Sequence, residues 1–212
     1  MTAWFLIAFA ATCLAIHFAT AWLLALRPLW PPRANGWLGT PPVSLLRPIK
    51  GADPADIETL GSSFTQDYPD YEVIFCVDSA EDPAGKVARR LIAAYPGVPS
   101  RLLVGSSALT GNPKLNNLAK GWRAARHDWV CMTDSNLLLP ADYLRTVVAA
   151  WDAGCGLVSG PPVGTRPEGF AGRLECAFLN GNQARLQYAG DSLGVGFAQG
   201  KTMLWRRELL RA

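Results

Sequence analysis

The sequence is short of the residues on which several common chemistries depend. Two histidines among 212 residues leave no His-rich metal centre. The five cysteines, Cys13, Cys76, Cys131, Cys155 and Cys176, are odd in number and widely spaced among apolar residues, with no Cys-x-x-Cys pair. They read as free, mostly buried thiols of a reducing compartment. No Gly-x-Gly-x-x-Gly follows the first strand-like run, which excludes a Rossmann dehydrogenase, and no Gly-x4-Gly-Lys-Ser/Thr is present, which excludes the P-loop hydrolases. Charged residues make up only 17% of the chain, and the net charge of +3 is small and scattered, which argues against a nucleic-acid partner. There is no internal repeat and no low-complexity tract beyond one proline-rich stretch.

The most local of these absences is at the amino terminus. Ala3 to Leu26 contains no Asp, Glu, Lys or Arg, and about 24 residues at a helical rise reach about 36 Å, enough to cross the hydrocarbon core. The run is expected to be a transmembrane helix over residues 1–27. A cleaved secretory signal does not fit, because no basic residue precedes the run and Trp22, Trp30 and Trp37 accompany its end. Arg27 and Arg33 flank the carboxyl side alone, which places the remainder of the chain in the cytoplasm, beside an anionic membrane surface. His17 is read as a tolerated helix-contact residue with no role. Residues 28–42 hold five prolines and two glycines and read as a stiff linker, so that a single domain occupies 43–212.

From Val43 onward, apolar runs alternate with helical patterns. Strands are expected at Val43–Ile49, Tyr71–Asp78, Arg101–Val104, Trp129–Thr133, Gly156–Ser159 and Thr202–Arg206. Helices are expected at Ala55–Gln66, at Pro83–Tyr95, at Lys114–Arg126 with Leu115, Leu118 and Trp122 on one face, and on a stripe of Tyr143, Val147 and Trp151. Phe170–Tyr188 reads as helix broken at Gly172 and Gly181. This rhythm predicts an α/β fold with a mostly parallel, buried sheet.

In such a sheet ligands sit beyond the carboxyl ends of strands. Asp134, Ser135 and Asn136 end the run Trp129–Thr133, where an Asp-x-Asn suits a divalent metal and the phosphates that it neutralises. Asp78, Ser79, Glu81 and Asp82 end another strand, where a carboxylate can accept from a uracil N–H or a ribose hydroxyl; an ordinary acidic turn before Pro83 explains them as well. Asn112-Pro113-Lys114-Leu115-Asn116-Asn117 opens a helix, so that backbone N–H groups and the Lys114 ammonium converge on a place suited to a diphosphate.

Arg47-Pro48-Ile49-Lys50-Gly51 after the first strand, Asp67-Tyr68-Pro69-Asp70-Tyr71-Glu72-Val73 before the second, Asn112–Asn117 and Thr133–Asn136, in that order, resemble the ceramide glucosyltransferase family, glycosyltransferase family 21, with its relatives in bacterial hopanoid synthesis. The resemblance implies a GT-A nucleotide-sugar domain on the cytoplasmic face of a membrane, that of a bacterial inner membrane. It also implies transfer of a sugar, glucose in the first instance, from a UDP-sugar to a lipid hydroxyl of ceramide or hopanoid type with inversion. It further implies nucleotide-sugar contacts at Pro48, Lys50, Asp78, Asp82, Lys114, Asn116, Asp134 and Ser135, leaving open which carboxylate between Asp78 and Asp82 is used. It places Mn2+ or Mg2+ at Asp134 and Asn136, where the neutral amide is the weaker ligand. Gly160–Arg173 and Phe178–Tyr188 would line the acceptor side. The family's general base and its Arg/Gln-x-x-Arg-Trp motif are expected beyond Ala212, so the chain reads as an amino-terminal part; Glu168, Glu175 and Asp191 are candidate bases by position only. The rival expectation is a non-catalytic, membrane-tethered nucleotide-binding or scaffold protein.

Overall fold

The computed structural model describes residues 2–29, 39–106, 109–152 and 154–210. Most of the expected linker, with Trp30, Arg33 and Trp37, lies outside the described residues. The chain divides into two compact units, one drawn from residues 34–160 and 199–212, the other from 1–33 and 161–198.

The first unit is built on a six-stranded sheet: β1 (Val43–Pro48), β2 (Tyr71–Val77), β3 (Ser100–Val104), β4 (Trp129–Thr133), β5 (Val158–Ser159) and β6 (Thr202–Arg206), in the order β3-β2-β1-β4-β6-β5. β1 to β4 run parallel, as the sequence rhythm implies, while β6 pairs antiparallel with β4 and β5 with β6. Every residue of β1 and β2 is buried, which is why these strands read as near-continuous apolar runs rather than alternating ones. The helices are α2 (Asp56–Gly61), α3 (Pro83–Ala94), α4 (Pro113–Ala124) and α5 (Tyr143–Ala149). α2 is shorter than expected and tightens into a 3-10 turn at Ser62–Phe64. Trp151 lies just past α5, buried edge-on against Trp129 at 4.8 Å between ring centroids.

α4 packs Leu118 and Trp122 of the expected face against the sheet but not Leu115. Leu115 is half exposed, whereas Asn117, Leu118 and Gly121 are buried. A Cβ on Gly121 would stand 2.9 Å from both Cys76 Sγ and Leu46 Cδ2, so the helix approaches β1 and β2 more closely than any side chain there permits.

One charge is buried at the amino end of the sheet. Glu72, 2% exposed, accepts from the Ser44 hydroxyl at 2.6 Å, the Arg126 amide at 2.7 Å and the Arg101 guanidinium at 2.9 Å. Burial alone pushes its carboxyl up, but the Ser44 and Arg126 hydrogen bonds with the two guanidiniums outweigh burial and hold it below the ordinary value of 4.5.

The second unit contains α1 (Thr2–Leu26), α6 (Gly169–Phe178) and α7 (Ala184–Ser192), the last two joined by a π-helical turn at Leu179–Gln183. The helical path is therefore continuous through Gly172, and Gly181 widens it instead of breaking it. α1 is long and apolar enough to cross a membrane, and its residues 3–19 are exposed throughout. Its carboxyl end is tied to α7. Arg27 pairs with Asp191 at 2.6 Å, donates to the Tyr188 carbonyl at 3.2 Å and lies 4.8 Å over the Tyr188 ring, while Arg185 donates to the His17 carbonyl at 2.8 Å. The five cysteines are free, with Cys76 and Cys131 buried and Cys13 exposed on α1.

Because the folded carboxyl of Glu72 titrates lower than the unfolded one, its contribution is complete above pH 4.5 and is lost as pH falls through the folded value. Glu72→Gln is expected to cost about 1–3 kcal/mol at neutral pH and to flatten the acid limb of stability. Denaturant unfolding measured between neutral and acid pH checks this; equal slopes in both proteins would contradict it.

Candidate functional site

The strand order reverses at β1. β2 and β3 lie on one side of it and β4 on the other, so the carboxyl ends of β1 and β4 open into a crevice. A cavity of about 300 Å³ fills that crevice. β1 and the loop after it contribute Pro48, Ile49, Lys50 and Asp53, α2 contributes Asp56, α4 contributes Pro113, Lys114 and Asn117, and the end of β4 contributes Asp134, Ser135 and Asn136.

The β4 end is held by Arg47, which opens one of the family-like motifs but to which the sequence assigned no role in the site. Its guanidinium is wholly buried. One nitrogen donates to the Thr59 carbonyl at 2.8 Å and the Ser63 hydroxyl at 2.9 Å; the other donates to the carbonyls of Asp134 at 2.7 Å, Ser135 at 3.0 Å and Leu137 at 2.7 Å. Burial lowers its pKa to about 10, which leaves it charged at neutral pH. The loop bearing the candidate ligands is thus tied to β1 and α2 through a single cation.

Asp134 lies between two ammonium groups. Lys114 Nζ is 2.5 Å from Oδ1 and Lys201 Nζ is 3.1 Å from Oδ2. Lys114 also donates to the Gly200 carbonyl at 2.8 Å, Lys201 reaches Asn136 Oδ1 at 3.4 Å, and the Asp134 amide donates to the Lys201 carbonyl at 3.2 Å. Lys201 is the second site residue that the sequence does not announce. The antiparallel register of β6 on β4 carries it to Asp134, and that register is not written in local pattern.

Pro48, Lys50, Lys114, Asp134, Ser135 and Asn136, six of the expected site residues, line the cavity. Asn116 does not. Its amide closes the preceding loop, accepting from the Thr110 amide at 2.9 Å and donating to the Thr110 carbonyl at 2.9 Å. Its neighbour Asn117, about 100° further round the helix, faces the cavity with a buried Oδ1 that has no hydrogen-bond partner. The opening of α4 is also less free than expected, because Asn112 caps it by accepting from the Lys114 amide at 3.0 Å; the Lys114 and Asn117 side chains remain to face a ligand. Asp82 is likewise committed: it caps α3 by accepting from the Ala84 amide at 2.9 Å and from the amide of Gly51, whose φ of +73° suits glycine. Glu81 is held by the Ser79 hydroxyl, which lowers its carboxyl pKa. Asp78 is placed differently, with a buried Oδ1 that has no hydrogen-bond partner, although it lies outside the residues lining the cavity. Asp53 and Asp56, unremarked in the sequence, line the cavity and accept from the Ala55 and Asp53 amides respectively.

Among the described residues no group of three His, Cys, Asp or Glu side chains is placed to hold a metal ion. The donors present are the Asp134 carboxylate and the Asn136 amide oxygen. They do not make a closed protein cage, but they fit Mg2+ or Mn2+ completed by water and phosphate oxygens. In the second unit, Asp191 is paired with Arg27, while Glu168 and Glu175 are exposed. Gly190-Asp191-Ser192-Leu193-Gly194 matches the spacing of a nucleophile elbow, Gly-x-Ser-x-Gly, but it ends α7, and Ser192 donates back to the Tyr188 carbonyl at 2.8 Å. It lacks the strand-to-helix turn that exposes such a serine.

The sequence profile of Glycosyl transferase family 21 matches residues 2–212. A ceramide glucosyltransferase of Komagataella phaffii is 46% identical over 124 residues, covering 57% of this chain and 23% of that protein. Ceramide glucosyltransferase 1 of Caenorhabditis elegans is 31% identical over 173 residues, covering 80% of this chain and 37% of that protein. The chain therefore spans well under half the length of these relatives. Among solved structures, a mannosyltransferase from Pyrobaculum calidifontis in complex with GDP-Man and Mn2+ superposes with a TM-score of 0.61 at 23% identity, over 96% of this chain and 57% of that one. Glucosyl-3-phosphoglycerate synthase from Mycobacterium tuberculosis, solved with Mn2+, UDP and glucosyl-3-phosphoglycerate, superposes with a TM-score of 0.50 at 17% identity, over 84% and 60%. The likeness to these two is one of fold, and that fold is the GT-A type that the motifs implied.

Arg47→Lys retains the charge but offers one nitrogen in place of a planar fork, leaving several of the five acceptors unpaired. It is expected to cost about 2–4 kcal/mol of stability and to weaken nucleotide binding in the molecules that remain folded. Thermal unfolding together with UDP titration checks both; unchanged values would show that the loop after β4 is positioned without it.

Proposed function

The chain belongs to glycosyltransferase family 21, and from that premise we propose that it carries the donor site of a membrane-anchored hexosyltransferase, which moves glucose from UDP-glucose to a lipid hydroxyl of ceramide or hopanoid type with inversion. The observation that carries the reading is Asp134, fixed by Arg47 at the carboxyl end of β4 and set beside Lys114 across the β1/β4 crevice. The Komagataella and Caenorhabditis relatives are both ceramide glucosyltransferases, and both superposed structures hold Mn2+ with a nucleotide or nucleotide sugar.

In this reading Lys114, with Lys50, takes the diphosphate, and the unpartnered Asn117 Oδ1 is left to accept from a hydroxyl of the nucleotide sugar. For the uracil or ribose the reading takes Asp78, supported by its unpartnered oxygen, ahead of Asp82 and Glu81, which are already engaged. Asp134, aided by Asn136 and Ser135, would hold Mn2+ or Mg2+; a divalent cation there supplies positive charge to the departing diphosphate as the anomeric bond breaks. The chain's own cations act in the same direction, since the Lys114 ammonium meets the charge that develops on the leaving group. The proton of the acceptor hydroxyl is assigned to none of the described carboxylates. For the membrane, α1 supplies a span, and Phe170, Leu174 and Phe178 form an exposed apolar stripe along α6 in the same unit, supporting contact with a bilayer. Arg27 at the carboxyl end of α1 favours the cytoplasmic side, that of a bacterial inner membrane, for the sheet unit.

Incorporation of labelled glucose from UDP-glucose into ceramide or hopanoid lipid, by membranes expressing the protein in its full genomic context, tests the activity. No incorporation into either lipid would refute it. At the donor site, Lys114→Ala is expected to weaken UDP binding about 10- to 100-fold while leaving uridine binding within about twofold, since the lost partner is a phosphate charge. Asp134→Ala should abolish the Mn2+ dependence of UDP binding. Equal losses for UDP and uridine, or unchanged Mn2+ dependence, in calorimetric titrations would remove these assignments.

A further inference from the structure

Lys201 stands where a divalent cation would. Its ammonium lies 3.1 Å from Asp134 Oδ2 and 3.4 Å from Asn136 Oδ1, facing the same two oxygens that the proposed metal would use. Lys114 occupies the other carboxylate oxygen at 2.5 Å. The backbone of Asp134 is anchored: its carbonyl is gripped by Arg47 at 2.7 Å and its amide donates to the Lys201 carbonyl at 3.2 Å. Both lysine side chains, by contrast, are about one-third exposed, with water beside them and room to change partner. The site therefore joins a short carboxylate on an anchored backbone to two cations on long, partly exposed stems.

We propose that Lys201 is a resident counter-ion of the metal site, holding Asp134 and Asn136 until a diphosphate draws its ammonium away, so that metal and nucleotide enter as a coupled pair. The inference rests on Asp134 and Asn136 as the metal's ligands.

Charge makes the coupling necessary. Asp134, Lys114, Lys201 and a dication together carry a formal +3 within a few ångströms. Like charges so close repel strongly near a protein surface, where water screens them only in part. A dication arriving alone must both displace one ammonium and tolerate the other. UDP brings roughly three negative charges and only acceptor oxygens on its phosphates, which nearly cancels the excess. Both lysines then have a partner better matched than the carboxylate they give up, and Asp134 is released to the metal. Nothing is gained by losing Lys201 outright, because its charge is reused on the diphosphate.

The test is Mn2+ binding to the full chain in detergent, read from the electron paramagnetic resonance signal of free Mn2+, with and without UDP, for the wild type, Lys201→Met and Lys201→Arg. The wild type is expected to bind Mn2+ weakly alone and about 100-fold more tightly with UDP. Lys201→Met should bind Mn2+ alone at least about tenfold more tightly than the wild type, a modest share of what removing a unit charge beside a dication is worth. The enhancement by UDP should then shrink, because drawing the Lys201 ammonium away no longer contributes to it, and by reciprocity Mn2+ should raise UDP affinity by the same smaller factor. Lys201→Arg keeps the charge and should keep the wild-type pattern. Lys201→Gln carries the same comparison if the methionine variant does not fold. Wild-type affinity for Mn2+ alone in Lys201→Met, with UDP still enhancing, overturns this inference while leaving the donor-site reading intact. A Lys201→Arg protein that behaves like Lys201→Met also overturns it, since packing and not charge would be responsible. A wild type that binds no Mn2+ even with UDP overturns both readings.

Discussion

The site depends on one buried guanidinium. Arg47 sits in the most buried strand of the sheet, and a charge there is tolerated only because five acceptors surround it. Three of these are carbonyls of the loop after β4. Carbonyls in a loop would ordinarily turn to water, and a loop so solvated samples many shapes. Here they converge on a cation, and the loop acquires one shape in which Asp134 and Asn136 face the crevice. The pairing is mutual: Arg47 needs those carbonyls to offset its desolvation, and all three carbonyls accept from it.

The first strands therefore carry charge at both ends with opposite purposes. At the amino end, Ser44 and Glu72 lock β1 to β2 and gather Arg101 and Arg126 into an ion cluster. At the carboxyl end, Arg47 satisfies backbone atoms of the β4 loop and leaves the side chains of Asp134 and Asn136 to other partners. Those partners are the ammonium groups of Lys114 and Lys201, held on flexible stems and exposed to water. An anion on an anchored loop with cations on flexible stems forms a site that exchanges charge with a ligand at little conformational cost, which suits a phosphate-bearing donor better than a neutral one. Asp53 and Asp56 line the same cavity, where their carboxylates accept from the Ala55 and Asp53 amides.

Much of the architecture was legible in the chain itself. Strand positions followed from short apolar runs, and β4 and β6 have the expected limits, because buried parallel strands and their neighbours leave a strong local signal. The ligand-bearing turn after β4 was legible for the same reason, since a buried strand that ends in polar groups presents them at the carboxyl edge of the sheet, where ligands bind. Details that depend on a second element were not. The large residues of α4 suggested Leu115, Leu118 and Trp122 as the packing face; Leu118 and Trp122 do pack, but Gly121 allows so close an approach to Leu46 and Cys76 that the buried face is centred toward Asn117 and leaves Leu115 half exposed. The same orientation puts Asn117 in the cavity and leaves Asn116 to close a loop. Asp82 looked equivalent to Asp78 until the cap of α3 and the Gly51 amide claimed it.

What the sequence determined by itself is what local chemistry dictates: an uncharged amino-terminal helix, an alternation that yields a mostly parallel sheet, and an aspartate, a lysine and a helix opening at strand ends. Only the tertiary structure decided which of these groups meet. Arg47 reads as one more residue of a strand until 87 positions of chain bring the Asp134 carbonyl to it. Lys201 reads as the residue before a strand until antiparallel pairing lays it against Asp134. Hydrogen bonds and ion pairs act over about 3 Å in space with no regard for separation along the chain, so periodicity can announce the elements while pairing register alone assembles the site.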